Sequence, residues 1–153
     1  RNDQIKNLRQ NNLLKKLDQK NYYTYNILKD KKNKFPTNIL LAIYYKNKFI
    51  GYGGLVHISW KNKRSELSFL LDTSIKENSQ KFKFIFKNFI SIIKKISFYE
   101  FKHIKLTTET FSSRKSLIRI LEENGFEQEG FFKNHYLKKK YINSFAHSLV
   151  KKK

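Results

Sequence analysis

The hydrophobic pattern of this chain changes period near Ile39, and that change restricts its fold more than any other feature. Residues 3–14 and 17–29 space apolar side chains three and four apart, which predicts helix. From Ile39 to Asp72, three runs rich in β-branched and aromatic residues are separated by short polar turns, which predicts three strands in an antiparallel meander. Pro36, the sole proline, marks the loop between the two patterns.

The helical period returns in the second half of the chain. A long helix is predicted by six apolar residues that fall on one face: Phe82, Ile85, Phe86, Phe89, Ile93 and Ile96. Residues 103–110 then predict a strand, residues 112–125 a second helix, and residues 126–137 and 141–150 a closing hairpin. This order predicts an α/β (α+β) fold in which helices pack on a central sheet.

Length and residue usage limit the class of protein. A chain of 153 residues can bury its apolar surface in one core, so we expect a single domain over residues 1–153. The absence of cysteine excludes disulfides and thiolate nucleophiles, and the four histidines show no ligand spacing, so no metal site is expected. No apolar run approaches the ~20 residues of a membrane span, and residues 1–10 lack the apolar part of a secretory signal. We therefore expect a cytoplasmic protein with no membrane partner.

The formal net charge of +21 would by itself indicate an anionic partner, such as nucleic acid, an anionic membrane or a phosphate-bearing small molecule. Lysine, however, is enriched together with Asn, Ile, Phe and Tyr, as in proteins encoded by A+T-rich genomes. The lysines also interrupt every predicted element and do not gather on one helix or strand. We therefore favour lysines spread over all solvated faces and expect no nucleic-acid partner.

The segment ILEENGFEQEG, residues 120–130, resembles a motif of the GNAT family of acetyl-coenzyme A-dependent N-acetyltransferases, in which a helix ending LEK-x-GF-x-x-EG precedes a β-hairpin. The matching positions are Leu121, Glu122, Gly125, Phe126, Glu129 and Gly130. Residues 1–3 and 49–60 are similar to the W-R-N and IG-x-(x)-GL segments of the family. Within the family, the chain resembles the branch of ribosomal-protein N-terminal acetyltransferases and amino-sugar acetyltransferases of surface-polysaccharide pathways.

The resemblance implies a GNAT fold with a mixed, mostly antiparallel central sheet and helices on both faces. It also implies that the first strand of the family lies upstream of Arg1. In such a fold Gly125 supplies a left-handed cap that ends its helix, and Phe126 enters the core. The backbone of Leu70 and Leu71 would contact the pantetheine arm of acetyl-coenzyme A, the expected co-substrate.

The pyrophosphate loop departs from the family pattern. Family members carry Arg/Gln-x-x-Gly-x-Gly/Ala there, whereas residues 73–84 contain no glycine. An anion would instead lie at the N-terminus of the long helix, among lysines and near residues 76–84. The side chains implied in coenzyme binding are Lys76, Asn78, Lys81, Phe82, Lys83 and Arg114, the last near the position of the family's signature Asn.

Acetyl transfer to an amine requires a general base, and the resemblance places an acidic residue at Glu66. Strand alternation puts Glu66 and Ser68 on one face, with the carboxylate directed at a mostly apolar interior. The alternative is an ion pair of Glu66 with Lys63 or Arg64 across the turn.

The other candidate residues come from three parts of the chain. His57 and Trp60 are expected to line the acceptor pocket, with His57 as a second base, or to form a half-exposed strand end. The family's tyrosine donor to the leaving thiolate has no counterpart in residues 112–125, which leaves Tyr141 or Tyr136 beside the last turn, unless both are packed or surface aromatics. Ser68, Glu109 and Tyr136 are expected to contact the acceptor.

These expectations define a transferase that acetylates a primary amine of a small metabolite, with a nucleotide-linked amino sugar as the favoured acceptor. A closed pocket with stacking aromatic residues would support that acceptor. One alternative is a protein N-terminus of the ribosomal-protein type, which an open cleft without aromatic residues would support. The other is a non-enzymatic binding module with a degenerate coenzyme loop. The resemblance leaves a homodimer open.

Overall fold

A computed structural model of the chain describes residues 2–152. The helical elements are a 3-10 helix (Asn2–Asn7), α1 (Lys16–Tyr22), a π-helical stretch (Tyr23–Leu28), α2 (Lys29–Lys31), α3 (Gln80–Lys95), a second π-helical stretch (Ile96–Glu100) and α4 (Lys115–Glu123). The strands are β1 (Ile39–Tyr45), β2 (Lys48–Ser59), β3 (Arg64–Leu71), β4 (Lys105–Phe111), β5 (Glu127–Leu137) and β6 (Tyr141–Val150). None of the helices among these residues is long and apolar enough to cross a membrane.

The six strands form one sheet in the order β1-β2-β3-β4-β6-β5. The β3–β4 pair is parallel, and the other four neighbouring pairs are antiparallel. The predicted α/β (α+β) class with a mixed, mostly antiparallel sheet is therefore confirmed, as are the meander of β1 to β3 and the closing hairpin of β5 and β6.

The prediction of helix over residues 3–14 is wrong beyond Asn7, because residues 8–15 form no helix. At the far end of the segment, the side chain of Asn2 binds both backbone groups of Leu14. Its Nδ2 donates to the carbonyl of Leu14 at 2.8 Å, and its Oδ1 accepts from the Leu14 N–H at 3.0 Å. Residues 2–14 therefore form a closed loop, called the N-terminal segment below.

One face of the sheet is covered by α3 and α4. The buried side of α3 comprises Phe82, Ile85, Phe86, Phe89, Ile90 and Ile93, and that of α4 comprises Leu117, Ile120 and Leu121. From β3, Leu67 and Leu71 join this core, and the Phe69 ring lies 4.4 Å from that of Phe86, centroid to centroid. Because side chains alternate along a strand, Glu66, Ser68 and Leu70 face the opposite side, where the N-terminal segment lies.

Gly125 ends α4 as predicted, with a φ of +87°. Its N–H donates to the Glu122 carbonyl at 2.9 Å, and the Phe126 N–H donates to the Leu121 carbonyl at 3.1 Å. These two bonds form a Schellman cap, which satisfies the last carbonyls of the helix. Phe126 is 2% exposed and lies in the core, so the geometry expected for this turn is confirmed.

The strands β3 and β4 separate part of the way along the sheet. Their register runs from Arg64 opposite Lys105 to Glu66 opposite Thr107 and ends there. Beyond this point the hydroxyl of Thr108 still donates to the Leu67 carbonyl at 3.3 Å, but β3 continues paired with β2 alone. The separation begins immediately after Glu66 and opens a cleft along the rest of β3.

Candidate active site

Two carboxylates from the separating strands converge on one cation. Glu66 on β3 and Glu109 on β4 both face away from the α3 and α4 core, and their side chains are 22% and 18% exposed. Arg9 of the N-terminal segment places Nη2 at 2.6 Å from Glu66 Oε1 and at 3.3 Å from Glu109 Oε2. We call Glu66 and Glu109 the carboxylate pair.

The ion-pair partner of Glu66 is not one of the two residues that the sequence suggested. Its ion pair is with Arg9 and not with Lys63 or Arg64, because the N-terminal segment lies over this face and directs the guanidinium at the carboxylate. The surroundings of Glu66 are also polar and charged where an apolar interior was expected.

Glu109 is held by three side chains from the closing hairpin. The buried hydroxyl of Ser144 donates to Oε1 at 2.7 Å, and the Tyr136 hydroxyl donates to Oε2 at 3.3 Å. His135 Nε2 lies 3.8 Å from Oε1. These contacts fix the Glu109 carboxylate beside β6, whereas Glu66 is reached from the N-terminal segment.

The charges of the cluster are set by burial and by the carboxylate pair. Burial alone would lower the pKa of Arg9, but Glu66 and Glu109 outweigh it and raise that pKa, so the guanidinium stays charged. Burial raises the pKa of Tyr136, and the neighbouring Glu109 raises it further against the opposing charge of Arg9. The phenol is therefore protonated at neutral pH.

Aromatic side chains line one side of the carboxylate pair. The Tyr136 ring lies 5.2 Å from that of Phe111 and 4.6 Å from that of His135, and the His135 ring stacks on Phe132 at 4.8 Å. We call these four residues the aromatic wall. Next to it, residues 138–140 form the lysine turn of the β5–β6 hairpin, and Lys138 Nζ lies 6.0 Å from the Phe111 ring centroid.

A cavity of about 410 Å³ lies at the end of β3. Its walls come from the end of β3, the loop that follows, the start of α3 and the N-terminal segment. Six of the residues implied in coenzyme binding line it: Leu70, Leu71, Lys76, Asn78, Phe82 and Arg114. The Gln4 side-chain amide donates to the Leu71 carbonyl inside it.

Two of the implied coenzyme lysines are placed elsewhere. Lys81 Nζ lies 4.7 Å from the centroid of the Tyr45 ring, and Lys83 Nζ lies 2.8 Å from Glu123 Oε2. Neither lines the cavity, because α3 turns their side chains towards β1 and α4.

An ion pair that the sequence did not indicate crosses the cavity wall. Arg114, the residue before α4, donates from Nε and Nη2 to Glu77 Oε2 at 2.9 and 2.7 Å. Ser79 caps α3, since its hydroxyl accepts from the Phe82 N–H at 3.1 Å. The charged residues that line the cavity are three cations, Lys6, Lys76 and Arg114, and three carboxylates, Asp3, Asp72 and Glu77. The apolar part of the lining fits an apolar arm such as the pantetheine of acetyl-coenzyme A, and the cations are the groups that its phosphates would contact.

His57 and Trp60 lie apart from this cluster. His57 is exposed at an irregularity of β2 and has a φ of +49°. The Trp60 indole donates to the Pro36 carbonyl at 2.8 Å, and its ring lies 5.1 Å from that of Phe101. Among the described residues, no contact joins either side chain to the carboxylate pair.

Tyr141 and Ser68 are also placed by the fold. Tyr141 is 60% exposed at the start of β6, and in the described part of the chain no contact joins it to Glu66 or Glu109. Ser68 shares the face of Glu66 and lies between it and the cavity-lining Leu70. Of the predicted site residues, Glu66, Glu109 and Tyr136 are therefore the ones that Arg9 brings into a single cluster.

Comparisons with known proteins agree with this architecture. A family model described as the acetyltransferase (GNAT) domain matches residues 2–145. The fold is similar to that of the spermidine N-acetyltransferase of Vibrio cholerae in complex with CoA and spermine, with a TM-score of 0.81 and 12% identity over 97% of this chain and 83% of that chain. It is also similar to a dodecameric structure of spermidine N-acetyltransferase from Vibrio cholerae in an intermediate state, with a TM-score of 0.72 and 15% identity over 87% and 72% of the two chains. No curated protein matches by sequence.

The family match covers nearly all of the described residues, and the two solved structures share the fold. The predictions of a GNAT fold, of an acyltransferase and of acetyl-coenzyme A as its co-substrate are confirmed at the level of the family. This chain belongs to the GNAT family of acetyltransferases.

Proposed function

We propose that this protein acetylates the primary amine of a small acceptor that also carries phosphate, with a nucleotide-linked amino sugar as the acceptor class. The observation that carries the proposal is the carboxylate pair beside the aromatic wall and the lysine turn. These three features offer separate contacts for an ammonium group, a planar ring and a diphosphate.

The carboxylate pair supplies the contacts for the amine. An acceptor amine arrives mainly as its ammonium ion, which two converging carboxylates attract. Glu66 lies at the mouth of the cleft that opens after it, and it removes the proton through water as a general base. Glu109, held by Ser144, orients the ammonium group.

Tyr136 is the proton donor to the leaving thiolate in this proposal. Its hydroxyl lies 3.3 Å from Glu109 Oε2, and its raised pKa keeps it protonated. This position supports Tyr136 over Tyr141, which is exposed at the start of β6.

The aromatic wall and the lysine turn favour a nucleotide over an extended peptide. Stacked rings offer a platform for a base or sugar, and Lys139 and Lys140 are exposed cations beside it. The coenzyme would place its pantetheine arm along Leu70 and Leu71 and its phosphates near Lys76 and Arg114. Acetyl-coenzyme A supplies the acetyl thioester, and the residues named here position it and move protons.

A polyamine is the second candidate acceptor. Two carboxylates could each pair with an ammonium group, and the Vibrio cholerae enzyme of similar fold was solved with spermine. The lysine turn favours the phosphate-bearing acceptor, because its cations would repel a polycation.

The proposal is tested with a panel of acceptors at fixed acetyl-coenzyme A, with the release of free thiol as the readout. The panel comprises a uridine-diphosphate amino sugar, the same sugar without the nucleotide, spermidine and a short peptide with a free N-terminus. We expect the highest kcat/KM for the nucleotide-linked sugar. A higher kcat/KM for spermidine or for the peptide would overturn the assigned acceptor class.

A further inference from the structure

We propose that Arg9 is a specificity-determining residue that neutralises one of the two carboxylates of the acceptor site and so restricts it to acceptors with a single ammonium group. This inference rests on the proposed acetylation of an amine at Glu66 and Glu109. It assigns a role to a residue for which the sequence carries no local signal.

The first observation is the position of the guanidinium. Arg9 Nη2 contacts both carboxylates, at 2.6 and 3.3 Å, so it supplies the positive charge that a second ammonium group of an acceptor would otherwise supply. The side chain is 41% exposed, which leaves the guanidinium open to solvent and to competition from another cation.

The second observation is that Arg9 is held in place by its own segment. The Asn2 side chain closes the N-terminal segment on Leu14 through two hydrogen bonds. Lys138 of the lysine turn donates to the carbonyls of Ile5 and Gln10, on either side of Arg9. A cation presented from a closed loop competes with a ligand at a low entropic cost, because much of its freedom is already lost.

The third observation is the local sum of charge. The carboxylate pair contributes two negative charges and Arg9 one positive charge, which leaves one negative charge for the acceptor. His135, at 3.8 Å from Glu109, would reduce it further when protonated. A polycation would have to bring a second ammonium group next to the guanidinium, and like charges at such distances repel.

The test measures amine binding by calorimetry and does not require turnover. Spermidine is the polycation, and glucosamine is the amine with one ammonium group. We expect Arg9→Gln to bind spermidine about tenfold or more tighter than the unmodified protein, since one positive charge has left the site. Glucosamine affinity should change by less than about threefold, and the gain for spermidine should shrink at about 1 M salt.

Arg119→Gln is the matched control. Arg119 lies on α4, is 81% exposed and pairs with Glu123, so its replacement removes the same charge away from the site. A second variant, Arg9→Gln combined with Glu109→Gln, restores the single negative charge of the original site. We expect its spermidine affinity to return to within about threefold of the unmodified protein, which a structural role of Arg9 would not produce.

Two outcomes would overturn the inference. One is a spermidine affinity of Arg9→Gln equal to that of Arg119→Gln. The other is a loss of binding of both amines in Arg9→Gln at an unchanged melting temperature, which would make Arg9 a positioning residue for Glu66. Because binding is the readout, a gain in spermidine affinity without turnover of any acceptor would support the inference while refuting the proposed function.

Discussion

Glu66 connects the chemistry of the site to its charge, because its carboxylate pairs with Arg9 at the point where β3 and β4 separate. A base in this position acts on an amine only if the amine can replace or approach the guanidinium. The contribution of Glu66 to turnover can be measured separately from its contribution to stability, because a solvent-accessible ion pair contributes only ~0–1 kcal/mol to folding.

We predict that Glu66→Gln lowers kcat by ~10²-fold or more, the usual scale for a lost general base, and leaves acetyl-coenzyme A binding intact. Part of the rate should return at high pH, where more of the acceptor is already deprotonated. Steady-state rates from neutral to alkaline pH and coenzyme titrations provide the measurement. Glu127→Gln, at the exposed start of β5, is the control.

A Glu66→Gln variant with normal turnover at neutral pH would contradict the role of Glu66 as general base. Loss of coenzyme binding in the same variant would indicate that Glu66 supports the cleft itself.

Tyr136 and Tyr141 form a matched pair for the proton donor. Tyr136→Phe removes the hydroxyl that donates to Glu109 and should lower kcat by ~10-fold or more, while Tyr141→Phe should leave it near normal. The same steady-state assay compares the two variants. The opposite ranking would transfer the donor role to Tyr141.

At the scale of elements, sequence periodicity predicted the strands and the two long helices because each buries one face against a common core. Periodicity failed for residues 8–14, which form no helix and end at Leu14, whose backbone is bound by the Asn2 side chain 12 residues away. The candidate site was predictable only in part. Glu66, Glu109 and Tyr136 were named separately, but their convergence depends on the order of β3, β4, β6 and β5.

Arg9 could not be predicted at all, since it meets Glu66 across 57 positions of sequence. No motif or spacing connects an arginine in a segment with a helical pattern to a carboxylate on a strand. Glu77 is a similar case, because its partner Arg114 lies 37 positions away.

The cap of α4 provides a stability prediction at this scale. Replacing Gly125 with valine should lower the free energy of unfolding by ~1 kcal/mol or more, because a β-branched residue is strained at a φ of +87°. A Cβ at this position would meet Leu149 Cδ1 at an ordinary 3.5 Å, so the backbone conformation and not a clash sets the cost.

Urea denaturation of the Gly125 variant measures the effect, with Gly130→Ala as the control. A Cβ at Gly130 would lie 3.5 Å from the Ala146 Cβ, again an ordinary contact, and Gly130 has no left-handed φ. Equal stability of both variants would contradict the cap.

At the scale of the whole molecule, two buried histidines make stability depend on pH. His103 and His147 are 1% and 0% exposed, and burial lowers the pKa of each below the ordinary 6.5, with Glu122 opposing the shift at His147. The unfolded chain binds these protons more readily than the folded one. Stability is therefore fully present above about pH 6.5 and decreases as the pH falls below it.

We predict that the melting temperature decreases between about pH 6.5 and 5, and that His147→Leu reduces this pH dependence. Thermal unfolding across that range is the measurement. A slope that is the same in His147→Leu and in the unmodified protein would assign the acid sensitivity to other groups.

The closed N-terminal segment contacts both the cavity and the carboxylate pair. Gln4 donates to the Leu71 carbonyl in the cavity, while Arg9 bridges the carboxylate pair. The Asn2 contacts with Leu14 join the ends of this segment. We therefore expect a ligand that displaces the segment at one place to loosen it at the other. Binding of the two substrates would then be thermodynamically linked, and linkage is reciprocal. If the coenzyme changes the affinity for the acceptor by some factor, the acceptor changes the affinity for the coenzyme by the same factor. The order of addition would then alter the rates of binding but not the stability of the ternary complex.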